Sequence, residues 1–399
     1  MSGLLLSPSE VRAAVQGVRM GALGDDEVTD AYAWAVWSVL AEPGDGVAGR
    51  LIGAVGAEAA LGVVVRGDRA APSSAEIDAS ELSRALGRWT PRLSADAVRA
   101  ALRAAALAGV ALVTRSDPVW PRRVLDLGAH APLCLWVRGD PRALLADPGV
   151  ALVGARAATS YGEHVAMELA ADLAAGGIGV VSGGAYGIDG AAHRAALSAR
   201  GTTIALSAGG VDRPYPAGHA ALFDRIAANG AVVAEVPCGA APTKWRFLQR
   251  NRTIAALASA TVVVEAGSRS GSLNTAGHAA ALGRPLGAVP GPVTSAASVG
   301  THRLLREYGA ECITGADDVR ELLGWRSSMD RSGAGGQRSP EATRVLDALA
   351  TRSPRSTEDI AARSGMSPAD VESALGVLEL DGAAVRTVHG WRSAVRRHR

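Results

Sequence analysis

The pattern of apolar and polar positions changes character twice along the chain. From about Pro8 to Val65 it reads as Ala-rich helical segments with Asp or Glu near their starts, interrupted by Pro43-Gly44-Asp45-Gly46-Val47-Ala48-Gly49. Gly67 to Ser74 is a polar, Pro-containing break, and helical character resumes through Ala108. From Val110 onward, short purely apolar runs alternate with helical stretches. Strands are predicted at 149–153, 178–182, 202–207, 231–235, 261–265 and 285–289. Helices are predicted at 161–175, 188–199, 220–229, 251–258, 273–282 and 301–308. Ser327 to Ser339 has the composition of a linker. Beyond it, 341–350, 357–364 and 368–380 read as three short helices, with Thr357 and Ser367 as N-cap candidates. Residues 385–391 then form a small hairpin.

Apolar strands flanked by helices predict an α/β fold with a parallel sheet covered on both faces. The domains expected are an N-terminal helical domain (1–108), an extended Rossmann-like domain (109–325), a linker (326–340) and a C-terminal winged helix (341–395). The N-terminal domain reads as a helix-hairpin-helix or SAM-like module. Its glycine turn at 43–49 is either a packing corner or a grip on DNA phosphates.

Composition narrows the picture only slightly. At 399 residues the chain is too long for one ordinary core. No window offers 18 uncharged apolar residues, so no membrane span is expected, and the first residues lack the features of a signal peptide. Cys134, Cys238 and Cys312 lie far apart and form no CxxC pair, which argues against a zinc site and fits a reducing cytoplasm. Net charge is only +2, and Lys244 is the single lysine, so overall arginine abundance is no evidence for nucleic acid. Only local clustering is informative.

Such clustering occurs at the carboxyl ends of the predicted strands, where open parallel sheets bind ligands. The first strand delivers Gly154 and Arg156, and the second delivers Ser182-Gly183-Gly184-Ala185-Tyr186-Gly187 at a helix start. After the fourth comes Lys244-Trp245-Arg246-Phe247-Leu248-Gln249-Arg250-Asn251-Arg252, and after the fifth Ser268-Arg269-Ser270-Gly271-Ser272. Cations, helix N-termini and stackable rings on one rim suit a nucleic-acid backbone. The bland reading makes Trp245 and Phe247 core residues and pairs Arg250 or Arg252 with Glu235 or Glu265. Neither a GxGxxG nor a GxxxxGK[ST] run is present, and no nucleophile or metal cluster completes a catalytic constellation. Asp189 and His193, four apart on a helix, could pair, though a turn-capping role suits Asp189 better.

These motifs together resemble the DNA-processing protein A (DprA/Smf) family. They are Val153-Gly154-Ala155-Arg156 with Tyr161-Gly162, and Ser182 to Asp189 with His193. Asp212 with Tyr215-Pro216, Phe247 with Arg250-Asn251-Arg252, and Val264-Glu265-Ala266 follow. Ser270-Gly271-Ser272-Leu273 with Thr275-Ala276, Gly283-Arg284 and Ala288-Val289-Pro290-Gly291 complete the set. The resemblance spans roughly Val110 to Leu323. It implies a dimer, formed through the Rossmann-like domain, that binds single-stranded DNA and hands it to the RecA recombinase during natural transformation, with no cofactor and no reaction. The implied binding residues are Arg156, Ser182, Gly183, Gly184, Ala185, Tyr186, Gly187, Lys244, Phe247, Arg250, Asn251, Arg252, Ser270, Gly271 and Ser272. Tyr186 stands where many members are basic, Leu248 replaces a common Pro, and His219 and His302 replace frequent Asn. The alternative is a lysine-decarboxylase-like (LOG) nucleotide hydrolase with Glu265 or Asp189 as its carboxylate, but the Pro-Gly-Gly-x-Gly-Thr run of that group is missing. In the winged helix, 368–380 carries Asp370, Glu372 and Glu379 and no basic residue, which points to protein contact rather than a DNA groove.

Overall fold

The computed structural model describes residues 6–19, 21, 23–68, 73–325 and 339–394. Contacts divide the chain into two compact units, 1–325 and 326–399. The expected linker lies outside the described residues up to 338.

The first unit begins with six helices: α1 (Pro8–Gln16), α2 (Asp25–Leu40), α3 (Gly46–Val55), α4 (Ala57–Arg66), α5 (Ala79–Trp89) and α6 (Ala95–Leu107). The sheet follows. β1 (Val110–Val113) and β2 (Leu135–Gly139) precede the alternating part: β3 (Gly149–Gly154), α7 (Ser160–Ala175), β4 (Gly179–Ser182), α8 (Ile188–Ser198), β5 (Thr203–Leu206), α9 (Ala220–Asn229) and β6 (Ala231–Ala234). It continues through α10 (Lys244–Leu257), β7 (Ala260–Glu265), α11 (Ser272–Ala281), β8 (Leu286–Ala288), α12 (Val299–Glu307), β9 (Glu311–Cys312) and α13 (Ala316–Leu322).

The nine strands run in the order β1-β2-β6-β5-β4-β3-β7-β8-β9. From β6 to β9 all pairs are parallel, while β1 and β2 add an antiparallel edge next to β6. That antiparallel pair and the short β9 were not among the predicted strands; β9 has only two residues, both exposed, and so carries no apolar run.

Period-2 alternation sorts the strand residues into layers. Ala151, Val153, Val181, Ile204, Leu206, Val233 and Val263 face one core, into which α10 and α11 pack. On the opposite face Val150, Leu152, Val180 and Val262 meet α7 and α8. Beyond them Ala205, Val232, Ala234 and Trp136 join a core filled by Trp34, Trp37 and Leu40 of the N-terminal helices. The helical segment and the sheet therefore share a core. The glycine corner between α2 and α3 is a packing joint: a Cβ on Gly44 would run into Gln249 and Arg252, and one on Gly46 into His130.

One boundary shift matters for the site. α10, predicted from residue 251, starts at Lys244 because Thr243 caps it, its hydroxyl accepting from the Arg246 N–H at 3.2 Å. Lys244, Trp245 and Phe247 thus ride on a helix instead of a loop.

The second unit contains α14 (Pro340–Ala348), α15 (Thr357–Ser364), α16 (Pro368–Leu380) and the hairpin β10 (Ala384–Thr387) with β11 (Gly390–Ser393), a winged helix. Ser367 caps α16 as expected, but Ser356, not Thr357, caps α15, accepting from the Asp359 N–H at 3.3 Å.

Candidate nucleic-acid interface

Strand order reverses at β3, which lies between β4 on one side and β7 on the other. Loops leaving the two sides of such a switch point part from each other, and a crevice opens between them. Here it is a cleft of about 680 Å³. It is lined by Gly154 and Arg156 after β3, Ala185 and Asp189 after β4, Phe247, Arg250 and Asn251 of α10, and Arg269 to Ser272 after β7. Its ionisable lining is Arg156, Arg250 and Arg269 against Asp189 alone.

Phe247 organises the cationic side. Its ring centroid lies 5.0 Å from the exposed Arg156 guanidinium and 5.8 Å from that of Arg250, with Tyr215 tilted against it at 5.4 Å. Cation–π attraction of this kind holds Arg156 over the cleft while leaving its N–H groups open. Arg250 is different. It is buried, and its Nη1 donates to the carbonyls of Gly183 (2.8 Å) and Leu206 (2.5 Å). Burial pulls its pKa down to about 10, Asp189 partly offsets this, and Arg156 adds to the lowering. It stays protonated at neutral pH and ties α10 to the ends of β4 and β5.

Two N–H groups of the glycine turn after β4 are already engaged within the protein. Asp189 Oδ2 accepts from Gly183 N (3.1 Å) and Ala185 N (3.4 Å), so the protein's own carboxylate occupies the place expected for an outside anion. The first N–H of α8, on Ile188, donates to the Ala155 carbonyl at 3.2 Å. Ser182 is buried, its hydroxyl donating to the Leu152 carbonyl at 2.6 Å. Gly183 and Gly184 are buried as well; a Cβ on Gly183 would strike the Arg250 guanidinium and one on Gly184 the Phe223 ring. Gly187, at φ +71°, packs against the backbone of Ala155 and Arg156. The turn ties together the ends of β3 and β4 and the start of α8 at the rim.

Other expected site residues separate in the same way. Ser270, Gly271 and Ser272 line the cleft at the start of α11, with the two serine hydroxyls 2.8 Å apart. Asn251 joins them from α10, its Nδ2 donating to the Gly271 carbonyl at 3.3 Å. Lys244 is exposed at the beginning of α10. Tyr186 lies outside the cleft lining, half exposed and edge-on to His219 at 4.7 Å. Arg252 turns away, buried against Glu235 at 2.5 Å, which is the structural alternative raised from the sequence. Arg269 and Ala296 also line the cleft. Arg269 was visible beside Ser270-Gly271-Ser272, whereas Ala296 had no sequence signal because it comes from a loop after β8.

Neither carboxylate of the hydrolase alternative is free. Glu265 is buried, with Oε2 accepting from Thr159 N (2.8 Å) and Oε1 from Thr159 Oγ1 (2.7 Å). Asp189 is committed to the turn. His193 does not pair with it, because Nδ1 lies 2.7 Å from Thr203 Oγ1. That hydroxyl donates to the Val180 carbonyl, so His193 Nδ1 is the proton donor, and burial, which lowers its pKa to about 3, keeps the ring neutral at neutral pH.

These two buried groups oppose each other in acid. Burial raises the pKa of Asp189, with Arg250 pulling the other way, so its contribution to stability is fully present below the ordinary aspartate range and is lost above that range, as pH rises through the raised value. Burial lowers His193 to about 3, so its contribution is intact above about 6.5 and falls as pH drops toward 3. Asp189→Asn keeps one oxygen for both N–H groups and removes the compensating titration. Because it leaves the buried Arg250 without its opposing carboxylate, it is expected to cost about 1–3 kcal/mol at neutral pH and to steepen the loss of stability as pH falls from about 6.5 toward 3. Urea unfolding across that range checks this; identical pH profiles would refute it.

Fold and cleft define an open α/β protein with a cation-lined crevice at its strand switch point, joined to a winged helix. The chain belongs to the DNA recombination-mediator protein A (DprA) family, whose model matches residues 111–324, and the model of the DprA winged helix domain matches 330–389. A DprA protein of Mycobacterium tuberculosis is 45% identical over 381 residues, covering 91% of this chain and 94% of its own length. The DNA processing protein DprA of Bacillus subtilis is 34% identical, covering 62% of this chain and 81% of its own length. The X-ray structure of DprA from Streptococcus pneumoniae superposes with a TM-score of 0.59 at 28% identity, over 73% of this chain and 97% of that one.

Proposed function

We propose that this protein binds single-stranded DNA in the switch-point cleft and, as a homodimer joined through the Rossmann-like domain, passes it to the RecA recombinase in the cytoplasm during natural transformation. No bond is made or broken. The observation that carries the reading is the Arg156–Phe247–Arg250 stack facing Arg269, with Lys244 exposed nearby on the same helix as Phe247. Guanidinium and ammonium groups neutralise phosphates, and an aromatic ring on the cleft wall offers a surface for a base. Membership of a recombination-mediator family supports the delivery step. In the second unit α16 carries Asp370, Glu372 and Glu379, and Val377 and Leu380 are exposed beside them. This acidic, apolar surface supports protein contact for the winged helix.

Fluorescence anisotropy on labelled oligonucleotides tests the site. Single strands are expected to bind more tightly than duplex, with affinity falling as salt rises. Arg156→Glu and Lys244→Glu should each weaken binding on the order of tenfold or more and reduce the salt slope by about 0.7. The loss should be alike for every sequence, since phosphate contacts carry no base information. Wild-type affinity in both variants would exclude this cleft.

A further inference from the structure

A second cleft, of about 670 Å³, opens where the α2–α3 corner and α5 face the start of α10. Trp245 forms part of its wall, together with Arg50, Arg88, Arg92 and His130 and the carboxylates Glu42, Asp45 and Glu81. Trp245, in the first turn of α10, lines this cleft, while Phe247, Leu248, Arg250 and Asn251 of the same helix line the switch-point cleft. The two clefts are thus neighbours across the first turns of one helix.

Trp245 is not a core residue. It is 56% exposed, and among the described residues no ring contact, cation–π contact or hydrogen bond engages its side chain. A large apolar ring exposed to water beside a polar cleft is a surface on which a planar base can stack.

The charges around it are arranged unevenly. Arg88 pairs with Asp45 at 3.2 Å, but the Arg88 side chain is 54% exposed and that of Asp45 only 10%. Asp45 is spent inward, accepting from Val47 N (3.1 Å), Ala48 N (3.3 Å) and Trp89 Nε1 (3.0 Å). Arg92 pairs with Glu42 at 2.7 Å and is again the more exposed partner. Glu42 also accepts both Arg246 Nε and Nη2 at 2.9 Å, so its charge is shared between two guanidiniums. In the Arg88–Asp45 and Arg92–Glu42 pairs the carboxylate is the more covered partner and the guanidinium the more exposed, while Arg50 and Glu81 pair on the same wall at similar exposure. A tryptophan face flanked by outward guanidiniums is the arrangement that takes one base and its phosphates.

We infer that the Trp245 cleft is a second single-strand subsite, in which a base stacks on the indole and Arg88 and Arg92 neutralise its phosphates. A strand lying in the switch-point cleft continues over Lys244 onto the N-terminal helical segment. This inference rests on the single-strand reading above and extends it to residues outside the Rossmann-like part.

The test is length-resolved binding of the full chain to oligothymidylates from about 4 to about 30 nucleotides, a span that brackets the usual footprint of one single-strand module. Arg156→Glu should weaken every length. Trp245→Ala and the pair Arg88→Gln/Arg92→Gln should match wild type on the shortest oligonucleotides and lose roughly 5- to 100-fold on the longer ones. Trp245→Phe, which keeps a ring, should recover most of that loss. Because Trp245 is exposed, Trp245→Ala should melt with wild type, so a misfolded variant does not obscure the result. If Trp245→Ala binds every length as wild type does while Arg156→Glu is impaired, the subsite is wrong and the switch-point reading stands. Equal weakening at all lengths would place Trp245 in a single site and also overturn a second one. If wild type binds no length, the switch-point reading itself has failed.

Discussion

Arg250→Met is expected to destabilise the 1–325 unit by about 3 kcal/mol. Arg250 Nη1 is a hydrogen-bond donor to both the Gly183 and Leu206 carbonyls, and methionine supplies no replacement. Each orphaned buried carbonyl costs about 1–3 kcal/mol. Asp189, buried on the far side of the same turn, also loses the cation that offsets its burial. Against this stands the relief of a buried guanidinium whose pKa is already depressed to about 10. That relief offsets part of the cost, since methionine fills similar space without charge, but it does not re-form the two bonds. Single-strand binding should fall with stability, because Gly183 anchors the turn and Phe247 loses one of its two guanidiniums. Arg250→Lys, which keeps a donor and a charge, should lose only about 1 kcal/mol. Urea unfolding followed by tryptophan fluorescence separates the two; a wild-type midpoint for Arg250→Met would show that the buried contacts contribute nothing net.

How far the sequence disclosed this arrangement depends on what each signal encodes. The strands β3 to β8 were legible because both faces are covered, so they read as unbroken apolar runs such as Val150–Val153 and Val262–Val264. β1 and β2 were not, because an antiparallel edge is specified by its partner: Trp136 sits opposite Ala234, nearly a hundred residues away. The start of α10 was missed because Lys244-Trp245-Arg246 has the composition of a rim loop, and only the Thr243 cap sets the helix there. The site residues were identified as a set, but their roles diverged. Arg156 and Arg252 look alike in a sequence, yet one leans on Phe247 over the cleft and the other is sealed against Glu235. Arg156 leaves the end of β3, whereas the side of α10 that Arg246, Arg250 and Arg252 each take is a matter of helical phase. The turn at Ser182–Gly187 is the sharpest case. Glycines before a helix suggest an anion site, and an anion is indeed bound there, but it is Asp189, six residues on from Gly183 in the same chain.

That internal anchor makes Gly187→Ala the second large effect. Gly187 has φ +71° and ψ −128°, a conformation essentially confined to glycine, and forcing an L-residue into it costs about 1–3 kcal/mol. The added Cβ would also press on two backbone carbonyl oxygens, those of Ala155 and Arg156, which lies 2.6 Å away. Neither oxygen is the tip of a flexible side chain, so the two loops must separate. Relief therefore requires breaking the Ile188 N–H bond to the Ala155 carbonyl, at roughly another 1 kcal/mol. A total loss of about 3 kcal/mol follows, of the same size as for Arg250→Met. The effect on binding should be distinct. Arg156 hangs from the displaced loop, so its guanidinium leaves Phe247 even in molecules that remain folded. At a temperature where Gly187→Ala is still native by circular dichroism, its single-strand affinity should fall to the level of Arg156→Glu. Adding Arg156→Glu to Gly187→Ala should then cost little more, since the cation is already out of place. A folded Gly187→Ala protein with wild-type affinity would show that the cleft does not depend on the contact between these two loops.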